Sequence, residues 1–226
     1  MRSSQLWMRR EKTEMGVRRV PISSLSLTGQ FNGQQFESSL ERDLILLAAF
    51  DLGVDWYESQ PVSIEYYDSN GRLHTYTPDL LIMYFTHGRF KDRKPLLCEV
   101  KYREDFFDQW KVLKPKLKAA RKFACEQGWE FRVLTEREIR TSYLQNVKFL
   151  YQYRYNDFSE GHYLRLADLL SDVEVSTPKE LIEAAYSSKV VRGEALWTLW
   201  CMVARCWIRC DLSLPLSMNT KIWMRD

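Results

Sequence analysis

Two short charged segments, each at the end of an apolar stretch, constrain this chain more than any other feature. The first is Pro78-Asp79, inside a stretch rich in aromatic and branched residues that runs from Leu73 to Phe85. The second is Glu99-Val100-Lys101, which ends the apolar run that starts at Pro95. Aromatic and branched residues favour β-strands. Both segments are therefore predicted at the ends of neighbouring strands, where two carboxylates and a lysine would meet.

This trio has the composition of a site that hydrolyses phosphodiesters. Mg²⁺ and Mn²⁺ prefer oxygen ligands, which Asp79 and Glu99 would supply. Such a cation lowers the pKa of bound water and stabilises charge on phosphate, and Lys101 would orient the water or neutralise the transition state. Along a strand, Glu99 and Lys101 point to one face and Val100 to the other. The alternative is an ordinary turn followed by an ordinary strand end.

A third carboxylate belongs to Glu41. Residues 36–51 are predicted to form an amphipathic helix, because apolar residues recur at i, i+4 and i+7 from Leu40. Glu41 lies at the edge of that apolar stripe, three residues after Ser38. A Ser at the N-cap with a Glu at the third helical position is a capping box. The local pattern therefore supports a structural cap and a catalytic carboxylate equally.

Four motifs follow one another along the chain. They are the helix with Ser-x-Leu-Glu-Arg-Asp, then Glu58-Ser-Gln-Pro61, then Tyr76-Thr-Pro-Asp79, and then the strand ending in Glu99-Val-Lys101. This order resembles the TnsA family, the endonuclease subunits of heteromeric transposases, including CRISPR-associated ones. The resemblance runs from about Arg18 to the C-terminus. It implies an α/β fold with a restriction-endonuclease-like, PD-(D/E)xK core, in which helices flank a mixed sheet.

The resemblance also implies roles for single residues. Glu41 matches the family's helix glutamate, Asp79 its metal-binding aspartate and Lys101 its catalytic lysine. The Val100 carbonyl matches a backbone metal ligand, and Glu99 stands where family members carry either Glu or Gln. The implied cofactor is Mg²⁺ or Mn²⁺. The implied activity is hydrolysis of the 5′-side strand at transposon ends, with a TnsB-like DDE transposase and a TnsC-like ATPase regulator as partners beside the DNA.

Composition shifts divide the chain into three predicted parts. These are a basic N-terminal arm at residues 1–30, a nuclease domain at 31–157 and a small winged-helix-like domain at 158–226. The arm would lie on a phosphate backbone or be a basic tail without a role. The second boundary follows the aromatic run at residues 149–155, whose tyrosines would stack on bases or pack between domains.

A second basic segment, residues 110–122, carries six cations and no acid. Pro115 fits the first turn of a helix, so a helix is predicted from about Lys114 to Gln127, ended by Gly128. Its cations would lie near the DNA backbone or form a solvated helix face. Residues 129–134 are predicted as the next strand, which completes an α/β core.

The last third of the chain carries clear helix signals. Thr177-Pro178 with Glu180 predicts a short helix over residues 178–186. A turn at Arg192-Gly193, a second helix at 194–204 and short strands at 207–212 and 221–223 would complete a winged helix-turn-helix. The second helix is apolar on most faces and has cations only near its ends. It is therefore better suited to packing or to a protein partner than to reading bases.

Composition narrows the function without deciding it. The net charge of +3 is too small to demonstrate nucleic-acid binding. No stretch approaches the roughly 20 apolar residues of a spanning helix, and no signal-peptide region is evident at the N-terminus. We therefore expect a cytoplasmic, nucleoid-associated bacterial protein without membrane partners. Two alternatives to the transposase nuclease stay open: a stand-alone repair or restriction nuclease, and a non-catalytic DNA-binding or adaptor module.

Overall fold

The computed structural model describes residues 28–225, and the chain divides between Ile139 and Arg140 into two compact units. The predicted basic arm lies outside the described residues except for residues 28–30. The first strands, β1 (Gly29–Phe31) and β2 (Gln34–Phe36), form an antiparallel hairpin. None of the helices between residues 28 and 225 has the length and apolar character needed to cross a membrane.

A mixed sheet of four strands forms the centre of the first unit. The strands that follow the first hairpin are β3 (Val54–Ser59), β4 (Ile64–Tyr67), β5 (Leu73–Tyr76), β6 (Leu80–Tyr84), β7 (Leu96–Val100) and β8 (Glu130–Leu134). The sheet order is β3-β6-β7-β8, with β7 and β8 parallel and the other pairs antiparallel. Within residues 28–225, strands β4 and β5 pair only with each other.

Helices cover both faces of this sheet. In chain order they are α1 (Ser39–Phe50), α2 (Arg103–Asp108), α3 (Trp110–Glu126) and α4 (Glu136–Ile139). Side chains of α1 pack with Leu80, Ile82, Cys98 and Val100 on one face. Leu81 and Leu97 pack with residues of α3 on the other face. Since alternate residues of a strand point to opposite faces, Glu99 lies on the α3 side of the sheet.

Two prolines explain where the elements differ from the predicted bounds. The stretch from Leu73 to Phe85 forms two strands, because Pro78 has no N–H to donate to a sheet and the chain changes partners there. Pro115 lies inside α3, so the predicted start of this helix near Lys114 is wrong. The missing N–H at Pro115 removes one helical bond, while the preceding turn is held by the Leu113 N–H donating to the Gln109 carbonyl at 2.9 Å.

The second unit is mainly helical. Its elements are α5 (Ser142–Tyr151), α6 (Glu160–Val173), β9 (Val175–Ser176), α7 (Pro178–Ala185), α8 (Lys189–Ala204), β10 (Ile208–Cys210) and β11 (Ile222–Met224). The last strand, β11, pairs antiparallel with both β10 and β9. The predicted short helix and the strand pair are confirmed. The classification of the unit as a winged helix stays a prediction.

Local signals explain the start of α7 and correct the start of α8. The Thr177 hydroxyl accepts from the Glu180 N–H at 3.2 Å and donates to the Glu180 carboxylate at 2.9 Å, so Thr177 is the N-cap, with Pro178 at the first helical position. The predicted turn at Arg192-Gly193 is wrong, because α8 already begins at Lys189 and includes both residues.

The boundary of the compact units differs from the boundary predicted at residue 157. Residues 140–157 lie in the second unit, where the aromatic run packs against α8. The Phe149 ring centroid is 5.3 Å from that of Trp200, and the Tyr153 centroid is 4.8 Å from that of Trp197. These edge-on ring contacts give Phe149 and Tyr153 a packing role within the second unit.

Candidate active site

Asp79 is fixed at the point where two neighbouring strands end. It lies immediately before β6, and its N–H donates to the Cys98 carbonyl at 3.0 Å, which extends the pairing with β7. Its own carbonyl accepts from the Gln60 N–H at 3.0 Å. Its carboxylate oxygen Oδ2 accepts from the Val100 N–H at 2.6 Å. The predicted placement of Asp79 beside Glu99-Val100-Lys101 is therefore confirmed.

Burial and neighbouring carboxylates both disfavour the ionised form of the Asp79 carboxyl. Burial raises the pKa of its carboxyl well above the usual range, and the negative charges of Glu99 and Glu41 raise it further. The ammonium of Lys101 and the Val100 N–H act in the opposite direction but do not offset these effects. A cation bound at Asp79 would relieve this imbalance.

Glu99 is almost completely buried and is held by three donors. Only 1% of the residue is exposed. The Tyr76 hydroxyl donates to Oε2 at 2.6 Å, and the Lys116 ammonium donates to Oε1 at 3.0 Å. The Lys101 ammonium lies 3.5 Å from the same Oε1. No local sequence pattern assigns Tyr76 or Lys116 to the site.

Lys101 shares its face of the strand with Glu99, as the alternation along the strand predicted. Burial lowers the pKa of its ammonium, but the negative charges of Asp79, Glu99 and Glu41 together outweigh burial and raise that pKa. Lys101 is therefore held as a cation. In this form it can donate hydrogen bonds and stabilise negative charge, but it cannot take a proton.

Glu41 closes the capping box that the sequence predicted. The Ser38 hydroxyl accepts from the Glu41 N–H at 3.1 Å and donates to Glu41 Oε1 at 2.9 Å. Glu41 Oε2 accepts from the Glu37 N–H at 2.8 Å. Burial raises the pKa of this carboxyl, against the effect of these hydrogen bonds. The cap is thus confirmed, while a catalytic role for Glu41 stays a prediction.

The three predicted carboxylates do not form one compact ligand set. Glu41 belongs to a helix on one face of the sheet, whereas Glu99 points to the other face. Asp79 lies at the strand ends, and its charge interacts with the charges of both glutamates. Across residues 28–225, no group of three or more His, Cys, Asp or Glu side chains is arranged to hold a metal ion. A smaller set still fits Mg²⁺, which commonly uses one or two carboxylates together with substrate phosphate and water.

A mixed sheet with flanking helices that brings an Asp, a Glu and a Lys together at the ends of two adjacent strands is typical of the restriction-endonuclease-like fold. Family models agree with this class: a TnsA-like endonuclease N-terminal model matches residues 52–136, and a TnsA endonuclease C-terminal model matches residues 138–212. The chain therefore belongs to the TnsA-like endonuclease family, which supplies endonuclease subunits to Tn7-type transposases. Asp79, Glu99, Val100 and Lys101 lie within the first match, and Glu41 precedes it. A search of the curated proteins finds no match.

Proposed function

We propose that this chain is a Mg²⁺-dependent endonuclease that hydrolyses the 5′-side strand at transposon ends during cut-and-paste transposition. The observation that carries the proposal is the half-buried Asp79 carboxylate, which accepts from the Val100 N–H at 2.6 Å at the strand ends, where the Lys101 ammonium lies 3.5 Å from Glu99 Oε1. The proposed partners are the transposon-end DNA, a TnsB-like DDE transposase and a TnsC-like ATPase regulator. Mn²⁺ is expected to substitute for Mg²⁺, because both ions prefer oxygen ligands.

Each residue of the site has a definite task in this reaction. Asp79, Glu41 and the Val100 carbonyl would hold the metal ion. When bound, that ion lowers the pKa of water and stabilises charge on the phosphate. The Lys101 ammonium, oriented by Glu99 Oε1 at 3.5 Å, donates to the attacking water or to a non-bridging phosphate oxygen. Hydrolysis leaves a 3′-hydroxyl and a 5′-phosphate.

Replacing Asp79 by Ala tests the proposal most directly. We expect the variant to abolish cleavage at the 5′ sides of the ends in a plasmid carrying both transposon ends, with Mg²⁺ and the partner subunits present. Asp92→Ala, at an exposed position of the same unit, is the matched control and should cut like the wild type. Cleavage by the Asp79→Ala variant at wild-type rates would remove Asp79 from the chemistry.

Replacing Lys101 by Ala tests the role of the ammonium. We expect cleavage to fall on the order of 10²-fold, as when one electrostatic donor to a transition state is removed. Binding of end-bearing DNA, measured by electrophoretic mobility shift with Ca²⁺ in place of Mg²⁺, should change much less. A parallel loss of DNA binding and cleavage would instead indicate that Lys101 contributes to substrate affinity.

The same plasmid assay separates the proposal from its two alternatives. A stand-alone repair or restriction nuclease would cut DNA with Mg²⁺ when the partner subunits are left out. A non-catalytic adaptor would bind DNA or the ATPase regulator in the presence of EDTA, and replacing Asp79 would leave transposition unchanged. The proposed subunit requires both Mg²⁺ and the partners, and its products carry the 5′-strand cut.

A further inference from the structure

Lys116 differs from the other cations of the basic helix α3. At 100° per residue, it lies on the same side of the helix as Leu113 and Ala120, which are buried. Lys114 and Lys118 lie about 160° away around the helix and are exposed. The Lys116 side chain is only 18% exposed. Its position on the helix turns it toward the sheet rather than toward solvent.

The contact that Lys116 makes there is a charge pair with a buried carboxylate. Its ammonium lies 3.0 Å from Glu99 Oε1 and 4.6 Å from the centroid of the Tyr76 ring. The Tyr76 hydroxyl occupies the second oxygen, Oε2, at 2.6 Å. Burial and the charge of Glu99 both raise the pKa of Tyr76, so this hydroxyl keeps its proton and remains a donor. Both oxygens of Glu99 are therefore engaged by donors of the protein.

This arrangement separates Glu99 from Asp79 in function. The Asp79 carboxylate accepts from the Val100 N–H at 2.6 Å and has the Lys101 ammonium as a nearby positive charge, whereas Glu99 has two ammonium groups within 3.5 Å of one oxygen. A buried carboxylate that two ammonium groups already neutralise gains little from a metal ion, because the ion would first have to displace those cations.

We propose that Lys116 is a positioning residue of the nuclease site: with Tyr76 it holds Glu99 as an anchor for Lys101, and its ammonium takes the place at Glu99 that a second metal ion would occupy. The inference rests on the proposed function, since it assumes a metal ion at Asp79. It assigns the site one metal ion per chain, and it makes Glu99 a support for Lys101 rather than a ligand.

Mn²⁺ binding to the purified full chain tests the inference without using activity. Free Mn²⁺ is measured by electron paramagnetic resonance during titration. We expect one Mn²⁺ per wild-type chain, an affinity roughly 10-fold or more weaker in Asp79→Asn, and an affinity within about 3-fold of wild type in Glu99→Gln. If Glu99→Gln weakens binding as much as Asp79→Asn does, Glu99 is a ligand and the inference is wrong. If Asp79→Asn has no effect, the proposed metal site itself fails.

Replacing Lys116 by Met should strengthen Mn²⁺ binding, whereas damage to the fold would weaken it. Loss of the ammonium leaves Glu99 without its closest counter-charge, so Mn²⁺ should bind roughly 10-fold more tightly or with a second equivalent. Adding Glu99→Gln should cancel this gain, and Lys116→Arg should restore the wild-type isotherm. Lys118→Met, on the exposed side of the same helix, is the control and should leave the isotherm unchanged. Unchanged or weaker binding in Lys116→Met, at a wild-type melting temperature, would overturn the inference.

Discussion

The Glu41 carboxylate closes a capping box and also adds negative charge near Asp79, and single substitutions can separate these two roles. Ser38→Ala removes the hydroxyl that accepts from the Glu41 N–H. We expect the free energy of unfolding to fall by about 1 kcal/mol, the usual cost of losing an N-cap, while cleavage per folded molecule stays near wild type. Urea denaturation followed by circular dichroism gives the first value, and the plasmid assay gives the second.

Glu41→Gln is the complementary substitution. The amide oxygen can still accept from the Glu37 N–H, and the amide NH2 group can donate to the Ser38 hydroxyl in place of the bond that this hydroxyl donates in the wild type. The substitution also removes a half-buried charge whose pKa is already raised. We expect the free energy of unfolding to change by less than about 0.5 kcal/mol. Cleavage should fall by at least ~10-fold, the lower end of what the loss of a group beside a metal costs. A fully active Glu41→Gln variant would leave Glu41 with the cap alone.

The raised pKa of Asp79 predicts a gain in stability when its charge is removed in the absence of metal. Asp79→Asn should raise the free energy of unfolding by about 1 kcal/mol at neutral pH, as often happens at functional positions. The sign follows from linkage: the folded state holds the Asp79 proton more tightly than the unfolded state does, so ionisation destabilises the wild type as pH rises.

The advantage of Asp79→Asn should therefore vanish below about pH 4, the unfolded pKa of Asp, and grow as pH rises through the folded pKa. Denaturation in EDTA at a series of pH values measures it. If the stability advantage of Asp79→Asn instead grew toward acid pH, the pKa of Asp79 would not be raised in the folded state.

At the scale of secondary structure, α8 contains a glycine that weakens it. Gly193 is exposed within the helix, and a Cβ added there would meet nothing within 4 Å. Gly193→Ala should therefore raise the free energy of unfolding by about 1 kcal/mol, since Gly is costly in helix interiors. Gly128→Ala, at φ +76° after α3, should lower it by about 1 kcal/mol. Urea denaturation of both variants checks the two opposite signs.

Local patterns were sufficient for elements whose signals lie within a few residues. The caps at Ser38 and Thr177 and the strands around Asp79 and Glu99 were predictable because capping and alternation are short-range. The position of Pro115 was not, because a proline inside a helix is tolerated only when tertiary packing holds the turns around it. Here Leu113 and Leu117 are buried on either side of it.

The charged motif of the site could be predicted from the sequence, but the groups that support this motif could not. Asp79, Glu99 and Lys101 stand close together in the sequence, and the family resemblance assigned them roles. Tyr76 and Lys116 reach Glu99 from a hairpin and from a helix that lies on its face of the sheet, and no local pattern encodes that meeting. The one available signal was the helical spacing of Lys116 with Leu113 and Ala120, which separates it from the exposed lysines.

At the scale of the whole molecule, the division of the chain depended on long-range contacts. The aromatic run at residues 149–155 has the composition of a segment between domains, and the predicted boundary was drawn after it. Its rings instead pack on tryptophans about fifty residues later in the chain. The ends of the two family matches, at residues 136 and 138, lie close to the division between the compact units at Ile139 and Arg140.

This division predicts that metal binding stabilises one part of the chain and not the other. All of the proposed site residues belong to the first unit, so Mg²⁺ bound to the native site should raise its stability by RT ln(1 + [Mg²⁺]/Kd), about 2.7 kcal/mol at 100 times Kd. Hydrogen exchange followed by mass spectrometry should show slower exchange in peptides from residues 39–50 and 76–101 when Mg²⁺ is added. Peptides from residues 160–204 should exchange at unchanged rates.

In Asp79→Asn the effect of Mg²⁺ on exchange should disappear, whereas in Asp92→Ala it should persist. Uniform protection of both units, or protection that survives in Asp79→Asn, would show that Mg²⁺ acts elsewhere than at the strand ends.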